Sequence, residues 1–365
     1  MPERVASALP HHPGQRVLIT TDAVGGVWRY SIDIAAGFAE YGVATILAVL
    51  GPAVTAAQRA EANAVPGLRL VDPGLPLEWT ATDPADLDRA STRLASLAAL
   101  VGVSSVHLHA PSLLGPARWP VPVVAVAHSC VATWWRAMRG DAMPDDFVWR
   151  TAATRAGLVA AAAVIAPTKA HAQAIEAVYG PLPIRIVLNG SRSIPVLPQH
   201  RRPAVLTAGR LWDPGKAVAW LDRAAPGLGV PILAAGPLRG PNGSVVEFAH
   251  LETLGTLEPE ALAAAYAGST VFASMARYEP FGLAVLEAAQ AGMALVLSDT
   301  PGFRELWDGA AIFVATEADL QAALLQALAE PGPWAARAYA RAQLYTLDRM
   351  VAGTLDVHRY VRAMA

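Results

Sequence analysis

Residues 16–50, "RVLITTDAVGGVWRYSIDIAAGFAEYGVATILAVL", indicate the fold class, because a helical segment lies between two apolar runs. The runs at 16–20 and 44–50 are short, continuous and rich in Val, Ile and Leu, which is typical of strands buried on both faces. Residues 30–42 have the composition of a helix, and Gly42 is placed to end it. Strand, helix and strand in this order predict two parallel strands joined by a crossover helix.

This alternation continues along the chain in two series, separated by the Pro- and Arg-rich segment "SIPVLPQHRRP" (193–203), which we interpret as a linker. The further strands predicted for the first series are 105–109, 121–127, 163–167 and 184–189. Those predicted for the second series are 204–210, 230–236, 250–255, 269–274, 294–298 and 310–314. Two such series predict an α/β protein of two domains, 1–197 and 198–346, each with a doubly wound parallel sheet. An amphipathic segment follows at 347–365.

Composition narrows the class of protein. The chain has 365 residues, too many for one ordinary hydrophobic core, and its 54% hydrophobic and 16% charged residues are typical of a packed globular enzyme. The net charge of −2 argues against a nucleic-acid partner, which favours a basic surface. Cys130, the single cysteine, excludes an intrachain disulfide and fits a reducing cytoplasm. The longest apolar run, 156–168, is too short to span a bilayer, so we expect at most peripheral membrane contact.

The loops after the strands are where open parallel sheets bind ligands. Gly25 and Gly26 follow the first strand and open a helix, where backbone amides can approach an anion, although a tight structural turn explains them equally well. This loop lacks the G-x-G-x-x-G pattern of nicotinamide oxidoreductases. His128 ends a strand on the same side, either as a site residue or as a structural histidine. Cys130 has no third, orienting group beside it, which disfavours a cysteine hydrolase.

Two cations mark the first loop of the second series. Arg210 and Lys216 lie in "GRLWDPGK" (209–216) and flank a Pro-Gly turn after a strand. At this spacing the two side chains can close on a diphosphate, with Arg binding planar oxygens and Lys acting as a point charge. Two solvated surface charges are the alternative interpretation.

Two carboxylates mark a later loop, "EPFGLAVLE" (279–287). Gly282 and Leu283 open a helix whose first amides have no partners within it, so they can bind a phosphate. Glu287 lies more than a turn inside this apolar helix, where its carboxylate can accept two hydrogen bonds from the diol of a ribose. Glu279 precedes the helix and would lie near the group attached to that phosphate.

Together these loops resemble glycosyltransferase family 4, whose members are retaining enzymes of the two-Rossmann GT-B architecture. The two glutamates with seven residues between them are similar to its E-x7-E signature, and "GRLWDPGK" is similar to its diphosphate clamp. "VGG" (24–26) is similar to its N-terminal glycine loop, and His128 falls where the family has an active-site histidine. The four motifs follow the family's order over residues 16 to 314.

The resemblance implies roles for the donor side of a cleft between the two domains. Glu287 would hold the donor ribose, and Glu279 would contact the sugar or stabilise its developing positive charge. Arg210 and Lys216 would stabilise the leaving diphosphate, and Leu257, in "LGTLEPEAL" (254–262), would contact the base.

It also implies roles for the amides and for the acceptor side. The amides of Gly282 and Leu283 would assist the two cations. Gly25 and Gly26 would approach the diphosphate or the acceptor, and His128 would contact the transferred sugar. The helix 347–365 would pack back on the N-terminal domain.

We therefore expect a cytoplasmic, metal-independent, retaining hexosyltransferase that needs no cofactor. Its donor would be a UDP- or GDP-linked sugar, and its acceptor a saccharide, a lipid-linked sugar or a small molecule. The Trp- and Arg-rich segment 133–150, with Trp28, would either stack on the acceptor or pack between the domains. The alternatives are a nucleotide-sugar epimerase or hydrolase of the same plan, and a non-catalytic nucleotide-sugar binding protein.

Overall fold

The structure is a computed structural model that describes residues 14–192, 201–240 and 243–365. Its first unit holds a seven-stranded parallel sheet of order β3-β2-β1-β4-β5-β6-β7. These strands are β1 Arg16–Asp22, β2 Ala44–Leu50, β3 Leu68–Val71, β4 Ser105–Leu108, β5 Val123–Val126, β6 Ala163–Ala166 and β7 Ile184–Ile186. The helices of this unit are α1 Gly26–Glu40, α2 Ala56–Asn63, α3 Pro84–Val101, α4 Val131–Met138, α5 Asp145–Ala160 and α6 Lys169–Tyr179.

The second unit repeats the plan with six parallel strands in the order β10-β9-β8-β11-β12-β13. These are β8 Arg202–Ala208, β9 Ile232–Ala235, β10 Glu252–Gly255, β11 Ser269–Ser274, β12 Ala294–Ser298 and β13 Ile312–Val314. The helices after β8 are α7 Ala219–Ala224, α8 Pro259–Gly268, α9 Leu283–Gln290, α10 Pro301–Trp307, α11 Glu317–Ala329, α12 Pro331–Ala342 and α13 Leu347–Ala363. The predicted boundary at 197/198 and most of the predicted linker lie outside the described residues.

Both sheets are Rossmann-like and doubly wound, as predicted. Each is covered by helices on both faces, and the apolar strand side chains fill a separate core on either side. In each sheet the strand order reverses beside the first strand of the unit, β1 or β8. This reversal opens a crevice at the carboxyl ends of the strands, which is where ligands of such sheets bind.

Strand β3 was not predicted, because it is an edge strand whose residues stay partly exposed and include Arg69.

Helix boundaries follow local chemistry. Asp83 caps α3 by accepting the amide of Asp86, and Gly102 ends that helix in the left-handed conformation. Gly42, with φ of 75°, ends α1 in the same way.

The two units meet through hydrogen bonds at the start of α6. Thr168 Oγ1 donates to the carbonyl of Pro280 at 2.9 Å. The amides of Lys169 and Ala170 donate to the two carboxylate oxygens of Glu305 at 2.9 and 2.7 Å. Glu305 therefore satisfies the free amides of a helix that belongs to the other unit.

Helix α13 follows the second unit in the chain but packs on the first. Val351 and Leu355 share a core cluster with Phe38 of α1 and Val17 of β1. A Cβ added at Gly37 would lie 2.2 Å from Val351 Cγ2, so the two helices are in direct backbone-to-side-chain contact. No helix in the described ranges is long and apolar enough to cross a membrane.

Candidate active site

The N-terminus of α9 lies at the carboxyl side of the second sheet, between β11 and β12. Gly282 precedes the helix with φ of 91°, a conformation that residues with a Cβ avoid. A Cβ there would also lie 3.0 Å from a ring carbon of Phe303. No side chain caps this helix, so the amides of Leu283 and the residues beside it remain available to an anion.

Lys216 and Glu279 meet in front of this helix. Lys216 Nζ donates to Glu279 Oε2 at 2.5 Å, and both side chains are only partly exposed. The two residues are 63 positions apart, so the fold joins the predicted clamp to the predicted E-x7-E segment. Because Glu279 neutralises the ammonium group, an arriving diphosphate would compete with this carboxylate for Lys216.

Arg210 is held at the other end of the clamp loop by Asp213, a residue that the sequence did not single out. Arg210 Nη2 donates to Asp213 Oδ2 at 3.0 Å, and Asp213 Oδ1 accepts the amide of Gly215 at 2.8 Å. Ala217 follows Lys216 with φ of 47° and is the only non-glycine residue with positive φ in the described part of the chain. Such strained backbone costs stability and is concentrated at functional sites.

Glu287 lies in α9 with its carboxylate largely buried. The hydroxyl of Tyr266, from α8, donates to Glu287 Oε2 at 3.1 Å. Burial raises the pKa of Glu287, while the bond from Tyr266 and the charge of Arg29 oppose that rise. One carboxylate oxygen is therefore already positioned by Tyr266, and the other has no protein hydrogen bond from a described residue.

Leu257 precedes α8 and packs, partly buried, against the core around Phe272. The structure places it in the loop after β10, at the carboxyl side of the sheet. Its side chain contributes to the core of the second unit, and its contact with a base stays a prediction.

The N-terminal side of the crevice holds Gly25 and Gly26. Gly25, with φ of 81°, precedes α1, and no side chain caps that helix. A Cβ at either glycine would meet no other atom within 4 Å, so the space in front of this helix is open.

Asp22, at the end of β1, is a candidate site residue that the sequence analysis missed. Its Oδ1 accepts the amide of Val24 at 2.9 Å. Burial raises the pKa of Asp22 to about 6, although the bond from Val24 and the charge of Arg210 act against this shift. Because the charge of Arg210 acts on this carboxylate, Asp22 lies on the side of the first unit that is near the clamp.

His128 follows β5 and is bonded to His109, which follows the neighbouring strand β4. The distance from His109 Nδ1 to His128 Nε2 is 2.5 Å. Burial lowers the pKa of His128 to about 3, so this imidazole is neutral at physiological pH. No hydrogen bond joins His128 to Glu279 or Glu287 in the described ranges.

The tryptophans of the first unit have structural contacts. Trp28 is buried in the core, and its Nε1 donates to Glu61 at 2.8 Å. Trp134 lies against the clamp loop, where its indole nitrogen would be 3.0 Å from a Cβ at Gly215. Trp135 packs edge-on against Phe147, with ring centroids 5.6 Å apart. Trp28 therefore packs within its own domain, whereas Trp134 packs between the domains.

Among the side chains of residues 14–192, 201–240 and 243–365, no three His, Cys, Asp or Glu residues are grouped so that they could hold a metal ion.

Family profiles match both units. Residues 24–191 match Glycosyltransferase Family 4, and residues 202–330 match Glycosyl transferases group 1. No curated protein sequence matches the chain.

Solved structures with the same fold cover nearly the whole chain. Sucrose-phosphate synthase from Thermosynechococcus elongatus is 18% identical, with a TM-score of 0.78 over 96% of this chain and 100% of that chain. WaaG, a glycosyltransferase involved in lipopolysaccharide biosynthesis, is 14% identical, with a TM-score of 0.71 over 94% and 99%. Anabaena HepE in complex with UDP-glucose is 17% identical, with a TM-score of 0.70 over 93% and 99%.

The two profiles follow the two Rossmann-like units and leave only short segments unmatched. The chain therefore belongs to the GT-B glycosyltransferases, with a family 4 unit followed by a group 1 unit.

Proposed function

We propose that this glycosyltransferase moves a hexosyl group from a nucleoside diphosphate sugar to a hydroxyl acceptor, with retention of anomeric configuration and without a metal ion. The donor would be linked to UDP or GDP. HepE, which shares the fold, has been solved with UDP-glucose, and this supports a nucleotide sugar. Retention rests on the resemblance to family 4.

The observation that carries this proposal is the junction of Lys216 and Glu279 in front of the uncapped helix α9. A cation and a helix N-terminus directed at one position form a site for a diphosphate. Glu287 is the fifth residue of the same helix, where a ribose joined to that diphosphate would reach it. Lys216 and the start of α9 would thus bind the diphosphate, and Glu287 would bind the ribose of a nucleoside diphosphate.

The chemical demand on this site is electrostatic. When the bond between the anomeric carbon and the diphosphate oxygen breaks, the electron pair leaves with the diphosphate, whose negative charge increases. Lys216, Arg210 and the α9 amides would stabilise that charge, and preorganised donors of this kind are usually the largest catalytic term. The acceptor oxygen would then bond to the same face of the carbon and release its proton to the departing diphosphate.

The acceptor side has a cavity of about 490 Å³ between α1 and α2. Arg29 and Asp33 line it together with Glu61 and Arg192, beside apolar walls such as Ile32. Ion pairs within it join Arg29 Nε to Asp33 Oδ2 at 3.0 Å, Arg29 Nη1 to Glu61 Oε1 at 3.6 Å and Arg192 Nε to Asp33 Oδ1 at 3.5 Å. A neutral, hydroxyl-rich acceptor suits such a lining, because its hydroxyl groups can bond to both signs of charge.

A thermal-shift screen with UDP, GDP, ADP and TDP tests the donor site. We expect one nucleotide to raise the melting temperature of the wild type, because it binds only the folded state. Glu287→Gln should lose the shift, while Glu260→Gln, at an exposed carboxylate on α8, should keep it. Absence of any shift at millimolar nucleotide would contradict the proposed donor site.

Product analysis tests the remaining features of the reaction. NMR of the product should show the anomeric configuration of the donor, and inversion would refute a retaining mechanism. Turnover should survive EDTA; if EDTA abolished it and manganese restored it, the metal-independent mechanism would be wrong.

A further inference from the structure

Four histidines, three from the first unit and one from α13, form two hydrogen-bonded pairs; His107 and His358 are fully buried, whereas His109 and His128 are partly buried. His107 Nδ1 and His358 Nε2, from α13, are 3.0 Å apart. The other pair is His109 with His128. A ring contact between His107 and His109, with centroids 4.9 Å apart, joins the two pairs, and no hydrogen bond between described residues does so. The pair that contains His128 is therefore not hydrogen-bonded to the pair that contains His358.

The rings of His109 and His128 meet edge to edge. Their planes differ by 13°, and their centroids are 4.7 Å apart. Two nitrogens 2.5 Å apart are closer than the faces of stacked rings can come, so one proton is shared in the common plane. Tyr30 packs edge-on against both rings, at 5.2 and 4.6 Å, and fixes this plane.

Ser31 determines which nitrogen carries that proton. Its hydroxyl has one hydrogen, which is taken by Val27 O at 2.8 Å or by Thr21 Oγ1 at 2.9 Å. With that hydrogen on Val27 O or Thr21 Oγ1, Ser31 Oγ accepts from His109 Nε2, which lies 3.4 Å away. It follows that His109 is protonated at Nε2 and accepts at Nδ1.

The tautomer of His128 follows from that of His109. Because His109 Nδ1 accepts, His128 Nε2 must be the donor, and His128 Nδ1 is left without a proton. Burial lowers the pKa of both imidazoles, so each carries a single proton at physiological pH. In the described ranges, Nδ1 of His128 has no hydrogen-bond partner.

We propose that His109 is a positioning residue, which holds His128 in the Nε2–H tautomer so that Nδ1 accepts a hydrogen bond from a substrate hydroxyl. This inference rests on the proposed function, in which His128 contacts the transferred sugar. It assigns His128 the role of acceptor, so the group that it recognises must carry a hydrogen. A substrate oxygen without a hydrogen, such as an ether or a carbonyl oxygen, would face the lone pair of His128 Nδ1 and form no hydrogen bond with it.

The tautomer can be measured without any substrate. Long-range ¹H–¹⁵N correlation spectra of protein with ¹⁵N-labelled histidine distinguish Nε2–H from Nδ1–H, and the His128 signals are assigned by their loss in His128→Asn. We expect His128 to be protonated at Nε2 alone in the wild type and in His109→Asn, whose side-chain oxygen can replace Nδ1 as acceptor. We expect a mixture of tautomers in His109→Leu. A wild type protonated at Nδ1 would overturn the proposal.

Kinetics test whether this tautomer matters. His109→Leu should lower kcat about tenfold, which corresponds to the free energy of one hydrogen bond. The change in the donor KM should be smaller. His109→Asn should stay within about threefold of the wild type. If His109→Leu had the same kcat as the wild type, the positioning role would be refuted. If the wild type turns over no nucleotide sugar at all, the proposed function fails, while the spectra still decide the tautomer.

Discussion

Replacing Asp22 by Asn should stabilise the protein, although Asp22 lies beside the candidate active site. The change keeps an oxygen that can accept the amide of Val24, replaces the other oxygen by an NH2 group and removes the charge. Burial raises the pKa of Asp22 from 3.8 to about 6. The folded state therefore holds the proton more tightly than the unfolded state does. The stability that this tighter proton binding contributes is complete below pH 3.8 and is lost as the pH rises through 6.

The magnitude follows from that shift. About two pKa units correspond to about 3 kcal/mol, so Asp22→Asn should be more stable than the wild type by about this amount at pH 8. At pH 4.5 the unfolded carboxyl is already largely ionised while the folded one is not, and the gain should fall to about 1 kcal/mol.

Urea unfolding at the two pH values, followed by tryptophan fluorescence, measures this difference. Asp72→Asn is a matched control, because Asp72 Oδ1 also accepts an amide two residues on, from Gly74 at 3.0 Å, but Asp72 is exposed. We expect no pH-dependent gain there, since that carboxylate stays hydrated. The reasoning is refuted if Asp22→Asn is less stable than the wild type at pH 8, or if its gain is the same at both pH values.

Three further outcomes are expected. Glu287→Gln should weaken nucleoside diphosphate binding by about tenfold or more, since a bond to a charged acceptor contributes about 1.5–3 kcal/mol; unchanged affinity by calorimetry would exclude a ribose contact. Lys216→Gln should lower kcat about 10²–10³-fold, as the loss of one charge-stabilising donor does, and a loss below tenfold in steady-state assays would exclude the clamp role. Gly37→Ala should lower the free energy of unfolding by about 1–3 kcal/mol through overpacking against Val351. In urea titrations, the double variant with Val351→Ala should be destabilised by less than the sum of the two single variants, because the smaller side chain makes room for the new Cβ. Purely additive effects would contradict the overpacking explanation.

Prediction of the strands from the sequence succeeded where burial leaves a continuous apolar run. β2, β11 and β12 have the bounds that their runs predicted, because neighbouring strands and two layers of helices bury most of their residues and favour apolar side chains on both faces. β3 could not be recognised, since an edge strand has one free side and tolerates residues such as Arg69. β7 is shorter than predicted for the same reason, with two of its three residues exposed.

The local position of a candidate site residue could be predicted when backbone chemistry required it. Gly282 was predicted at the start of a helix, and it precedes α9 with positive φ, a conformation that favours glycine; its role at a phosphate stays a prediction. Tyr266 was missed, since its bond to Glu287 joins two helices and leaves no local pattern. His109 had a usable signal, because it and His128 follow strands that the predicted topology places side by side. What decides its role, a proton on Ser31, cannot be seen in the sequence.

The position of α13 has a consequence for synthesis on the ribosome. Val17 and Phe38 are made early, but the helix that covers them, with Val351 and Leu355, is translated only after the whole second unit. Domains made first normally fold first. Here the earlier unit must wait with an apolar face open until residues 347–363 emerge. The half of the enzyme that is translated first is therefore the half that is completed last.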